Sequence, residues 1–163
     1  AMSAGKIDAG VFNSSTLPIA KRMGLVELVR IPDLKIEVQG NGMATTRAYI
    51  KSNRDVVKSA VKGYVEGIYS IFSNKAGALK VFGKYMRTND AEVLETSYQA
   101  YVTTTLKKPY PTLKGLQFLL DRLAPTMPQA KTAKPEQFVD LSFLQELEKE
   151  GFFNEMAKRY PGK

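Results

Sequence analysis

From residue 53 onward apolar positions recur every three or four residues, whereas before it they come in short blocks of strand length. Asn53 is placed to cap a helix reaching about Ser73, with Val57, Val61, Tyr64, Ile68 and Phe72 as its core-facing stripe. KAGALKVFGKYM (75–86) reads as a second helix. Asp90 caps a third, with Val93, Leu94, Tyr98, Tyr101 and Val102 on one side. KKPYPT (107–112) breaks the pattern, and Thr112 caps LKGLQFLLDRLA. A proline-punctuated connection (124–135) follows. Asp140 then caps LSFLQELEKE, with Leu141, Leu144 and Leu147 apolar and Gly151 as the stop, and FFNEMAKRY closes the chain as a short helix.

The first fifty residues differ. AMSAGK reads as the tail of a helix with Gly5 just past its end. IDAGVF (7–12) is a mostly apolar run, as in a strand buried on both faces of a parallel sheet. Ser14, Ser15 or Thr16 then caps a helix with Pro18 in its first turn, ending at Gly24 after Lys21 and Arg22. Leu25 to Ile31 and LKIEV (34–38) read as strands around the Pro32-Asp33 break. QGNG (39–42) is a flexible point, and MATTRAYI (43–50) has the β-branched and aromatic content of an extended segment. The expected class is therefore α/β and helix-rich. So few strands make a marginal sheet by themselves, so the pattern predicts that their partners lie outside the chain and that it is the C-terminal part of something longer.

Composition narrows the chemistry. The 163 residues include no Cys, His or Trp. Ser-His-Asp and Cys-His catalysis and thiolate metal sites cannot be built from this chain alone, which leaves carboxylate, Lys or Tyr chemistry. No cofactor and no metal site is expected. The charge of +8 invites a nucleic-acid reading, but the cations are scattered along the chain. Arg47, Lys51, Arg54, Lys58 and Lys62 form the densest stretch, with 54, 58 and 62 on one helical face. That row reads as a solvated face, and no aromatic residues interleave with it to stack bases. No stretch is long and apolar enough to span a membrane.

Several residues compete between roles. Phe12 to Thr16 sit where a strand's end would meet a helix start, a place where free N–H groups favour an anion or a carbonyl oxygen. Asn13, Ser14 and Ser15 are the candidate ligand donors there; the alternative is that one hydroxyl merely caps the helix and Asn13 completes a turn. Tyr69, Tyr85, Tyr98 and Tyr101 invite an aromatic cage, but at helical spacing they read as packing. Glu146, Glu148 and Glu150 read as a solvated helix face.

The order of segments resembles the C-terminal half of the substrate-binding proteins of nitrate/sulfonate/taurine-type ABC importers. The stretches that carry the likeness are AMSAGKIDAGVFNSSTLPIAKRMG, GNGMATTRAYIKSNRDVVKSAVKGYVEGI, ALKVFGKYMRTNDAEVLETSYQAY and PEQFVDLSFLQELEKEGFF. Each is loose; their order and spacing cover nearly the whole chain. The resemblance implies a two-lobed type II periplasmic-binding fold. Residues 1–40 would end the second lobe, 41–50 would be a crossing strand of the hinge, and 51–163 would complete the first lobe. It implies hinge flexibility at Gly40 and Gly42, with Thr45, Thr46 and Arg47 as further ligand candidates. Arg47 could equally bridge to Asp55. Asp8 would be structural, in the family's "iDA" turn. The implied function is capture of a small organic or anionic solute for a membrane permease, without chemistry, outside the cytoplasm and with a lipid anchor supplied by an N-terminus beyond this sequence. The other partners implied are the missing N-terminal lobe or a second copy of the chain, and no nucleic acid. The alternatives are a relative of the pyrimidine-precursor synthases that share the fold, or a stand-alone basic helical module that binds nucleic acid.

Overall fold

A computed structural model describes residues 2–34 and 36–161, apart from the side chains of Ser3, Ile31 and Pro32. Eight α-helices form: α1 (Leu17–Arg22), α2 (Arg47–Ser52), α3 (Arg54–Ser73), α4 (Lys75–Met86), α5 (Ala91–Thr104), α6 (Leu113–Leu123), α7 (Ser142–Lys149) and α8 (Phe152–Arg159). Short 3-10 turns occupy Met2–Ala4, Ile31–Leu34, Pro128–Lys131 and Pro135–Phe138.

The α/β expectation is overturned. Helix makes up 62% of the chain, and no strand or sheet exists among the described residues, so a type II periplasmic-binding fold is not what this chain forms. The reason is pairing. Strand-like composition at 7–12, 25–31 and 34–38 (Lys35 lies outside the described residues) becomes a strand only when a neighbour takes up the backbone N–H and C=O groups, and among the described residues no neighbour does. Residues 7–12 and 25–30 are irregular, and 31–34 curl into a 3-10 turn. Nor is 41–50 a crossing strand, because its second half is α2. There Thr46 adopts extended backbone and its hydroxyl accepts from the Tyr49 N–H at 3.1 Å, starting a helix where β-branching suggested extension.

The helical half follows the local rules closely. Asp90 accepts from the Glu92 and Val93 N–H groups at 3.1 and 3.2 Å, Thr112 from Gly115 at 3.2 Å, and Asn74 from Gly77 at 2.8 Å. Asp140 Oδ1 accepts from both the N–H and the hydroxyl of Ser142. Gly151, at φ +76°, stops α7 in a left-handed conformation that costs glycine little. Gly5 does the same after the first 3-10 turn, at φ +63°.

Helix α3 is the hub, packing against α2, α4, α7 and α8; α4 packs on α5, and α5 carries α1. The buried face of α3 is Val65, Ile68 and Tyr69, one residue round from the expected stripe, so Tyr64 is exposed. Val65 and Tyr69 join Leu144, Leu147, Phe153 and Met156 in the principal core, flanked by Val61, Tyr110, Phe152 and Tyr160. Ile68, Ala78, Val93 and Tyr98 are also buried, under α4 and α5.

Candidate functional site

The Asn13–Thr16 turn packs beside the junction of α4 and α5. Its geometry is local: Asn13 Oδ1 accepts from the N–H groups of Ser15 and Thr16 at 3.1 Å and from their hydroxyls at 2.7 and 3.0 Å. The Asn13 carbonyl accepts from the N–H groups of Thr16 and Leu17, opening α1. Asn13 is thus the turn-maker, while the Ser14 hydroxyl enters none of these bonds. With six residues, α1 adds little dipole to this end.

The opposite wall is set by how α4 stops. Arg87 takes a left-handed conformation at φ 54°, and the Thr88 N–H turns back to the Gly83 carbonyl at 3.1 Å. Asp90 follows as the cap of α5. Its other oxygen meets Arg22 Nη2 at 2.5 Å, tying α1 to α5, and Glu92 stands 3.4 Å from Arg22 Nη1. The hydrogen bond from Arg22 and the backbone donor at Val93 hold the Asp90 carboxyl below the usual range.

Between these walls lies an open groove of about 360 Å³, lined by Ser15, Thr16, Ile19, Met86, Thr88, Asp90 and Val93. Ser15 was expected here from sequence. Thr88 and Asp90 were not, although the cap role of Asp90 was legible. Thr45, Thr46 and Arg47 do not line the groove. Thr46 caps α2, Thr45 is exposed, and Arg47 donates from Nη2 to the Gln137 carbonyl at 2.5 Å; no ion pair to Asp55 forms among the described residues. A Cβ at Gly40 would meet nothing within 4 Å, and one at Gly42 would meet the Gln39 side chain at 3.8 Å.

The remaining charged candidates pair with one another. Arg54 binds Glu146; Lys58 bridges Glu146 at 3.3 Å and Glu150 at 2.5 Å; Lys62 reaches Glu150 at 3.7 Å. The basic row at 54, 58 and 62 and the acidic positions 146 and 150, expected to be separately solvated, thus form one ladder between α3 and α7. Lys108 binds Glu148 at 2.5 Å, and the Tyr110 hydroxyl donates to the same carboxylate at 2.8 Å. Burial and that carboxylate push the Tyr110 phenol up to about 12. Among the tyrosines, Tyr69 and Tyr98 are core, Tyr101 stacks edge-on with Phe82, and Tyr85 is 75% exposed, so they form no cage. No group of acidic residues that could hold a metal ion occurs among the described residues, nor any helix long and apolar enough to cross a membrane.

The ladder predicts a pH dependence. Hydrogen bonds from Arg54 and Lys58 hold Glu146 and Glu150 below their ordinary value of 4.5. A carboxyl lowered in the folded state stabilises above its unfolded pKa and loses that contribution as pH falls through the folded one. Melting temperature should therefore decline below about pH 4.5, where unfolded glutamates begin to protonate. Lys58→Met should flatten that decline, and an unchanged acid limb in the variant would show that the Lys58 bridge contributes nothing.

No family model matches this chain, and neither a curated protein nor a solved structure matches it.

Proposed function

We propose that this chain is the solute-binding component of an importer of the nitrate/sulfonate/taurine type, acting outside the cytoplasm and without chemistry of its own. The groove between the Asn13–Thr16 turn and the α4–α5 junction is its ligand surface. The observation that carries the reading is that Ser15, Thr16 and Thr88 share with Asp90 the lining of one groove of about 360 Å³. That volume suits a small solute, and hydroxyls beside a fixed charge are orienting groups. The order of segments along the chain, set out above, supports the same reading.

The charge of the wall refines the ligand class. A bare anion would face the Asp90 carboxylate, whereas an amino-sulfonate or amino acid would place its ammonium there and its acidic group on the hydroxyls. Arg22 holds the same carboxylate at 2.5 Å, so a ligand ammonium there would share Asp90 with it.

A thermal-shift series tests this with taurine, ethanesulfonate and nitrate. Taurine should raise the melting temperature more than ethanesulfonate, which lacks the amine, and a ligand at 100 times its Kd adds about 2.7 kcal/mol. Thr88→Val should abolish the shift, with a modest lowering of the unliganded melt because the Thr88 hydroxyl accepts from the Asp90 N–H at 3.2 Å. If no solute stabilises the protein and duplex DNA binds with a steep salt slope, the importer reading fails.

A further inference from the structure

Helix α4 carries lysines and no acidic residue, and Arg87 follows it directly. Lys75 pairs with Glu95 at 2.7 Å, whereas Lys80, Lys84 and Arg87 are exposed and enter no ion pair among the described residues. The acids of the helices packed against α4 are engaged elsewhere. On α3, Glu66 takes Arg159 and the Tyr160 hydroxyl, and Asp55 stands in the first turn, at the end remote from the start of α4. On α5, Asp90 and Glu92 hold Arg22, and Glu95 holds Lys75.

Charge is only half of this face. Lys80 and Lys84 stand one turn apart, and Val81 and Tyr85 repeat the same step on the adjoining strip of the helix. Val81 is 51% exposed and Tyr85 75%. Val81 also lines an open, mostly apolar groove of about 250 Å³ between α3 and α4, together with Gly67, Ile71, Gly77 and Ala78. Cations beside apolar side chains and an apolar recess match a partner that is anionic at one level and hydrocarbon just below it. A membrane interface has that profile: lysine and arginine meet lipid phosphates, and tyrosine settles at headgroup depth. A nucleic-acid strand fits less well. The Lys84 ammonium lies over the Tyr85 ring, 5.4 Å from its centre, on a face where a base would stack, and Val81 offers a phosphodiester nothing. We infer that the exposed face of α4 docks on an anionic phospholipid surface, with Lys80, Lys84 and Arg87 on the phosphates and Val81 and Tyr85 at the headgroup boundary. The contact does not depend on which solute the other groove takes. So few cations and apolar side chains give reversible, salt-sensitive binding rather than a stable anchor.

The absence of tryptophan supplies a reporter. Tyr85→Trp should give a blue-shifted emission with vesicles containing phosphatidylglycerol, none with phosphatidylcholine alone, and reversal in high salt. In that background Lys80→Gln with Lys84→Gln should weaken binding about 25-fold, roughly fivefold for each cation withdrawn from an anionic surface. Lys131→Gln with Lys158→Gln removes equal charge from exposed sites on other elements and should change binding by less than about twofold, because screening confines each charge to its own neighbourhood. All four lysines are exposed, so the melting temperature should hold and a loss of binding is not a loss of fold. No blue shift on anionic vesicles, equal losses from the two double variants, or an indole that responds to duplex DNA or polyaspartate but not to vesicles would each overturn the proposal.

Discussion

Replacing Leu147 with alanine should lower stability by about 3 kcal/mol, the middle of the range for emptying a buried leucine site. Leu147 has no exposed surface and sits where α7 meets α3 and α8, within the cluster of Val65, Tyr69, Leu144, Phe153 and Met156. The loss has two parts: the methyl groups return to water's reckoning, and the facing side chains lose contact partners unless they collapse inward. Collapse is restricted here. Two walls of the site are rings, Tyr69 and Phe153, and Lys108 lies over the Phe153 ring at 5.4 Å with its ammonium bound to Glu148. The proportion matters because fully buried apolar side chains are few in this chain, and single domains have only 5–15 kcal/mol to lose. Denaturant titration should show the midpoint moved with the slope unchanged, and the melting temperature should fall by roughly 10 °C. Val81→Ala on the exposed side of α4 is the control, expected within about 0.5 kcal/mol of the parent. Equal losses in the two variants would mean that the α3–α7–α8 cluster is not the core.

The helices were legible because their signals are local. A cap at Asp90 or Thr112, a stop at Gly151 and a repeat of three or four residues act within one turn, and each came out within a residue or two of its expected place. Strand signals are not local. IDAGVF and LKIEV describe what such segments do when a neighbouring strand is present, and nothing in their own residues says whether one is. Thr45 and Thr46 illustrate the ambiguity at close range. β-branching argued for extension, yet a threonine three residues before Tyr49 is also a helix cap, and the cap prevailed because it satisfies an N–H without help from another chain. The groove was half legible. Ser15 could be picked out because it stands in a polar run before a helix, but Thr88 reaches the groove only through the left-handed turn at Arg87, a conformation that arginine does not advertise. The ion-pair ladder was present in the sequence as two separate stripes, at 54, 58, 62 and at 146, 150. Their attraction depends on α7 docking against α3, which only the apolar faces of the two helices determine.

Gly115→Ala carries the second large effect, with a sign opposite to what helix propensity predicts. Gly115 is the third residue of α6, and alanine there should favour the helix by up to about 1 kcal/mol. The space is already taken. A Cβ at this position would lie 2.5 Å from the Gln39 nitrogen, 2.9 Å from the Val38 carbonyl carbon and 2.6 Å from Thr112 Cγ2. Two of these are backbone atoms, which cannot swing aside as a side chain can, so the 38–39 segment must lift. Lifting it breaks a small latch: Gln39 Oε1 accepts from the Thr112 N–H at 2.9 Å, the Thr112 hydroxyl bonds Glu37, and Lys114 faces Glu37 at 3.8 Å. The overpacking penalty of about 1–3 kcal/mol exceeds the propensity gain, so the variant should be less stable than the parent. Hydrogen exchange separates this from a general loosening of α6. The Thr112 amide should lose protection, because its acceptor leaves with Gln39, while amides in the middle of α6, whose acceptors lie one turn back in the same helix, keep theirs. If alanine instead stabilises the protein with Thr112 still protected, then residues 36–39 do not rest on the start of α6.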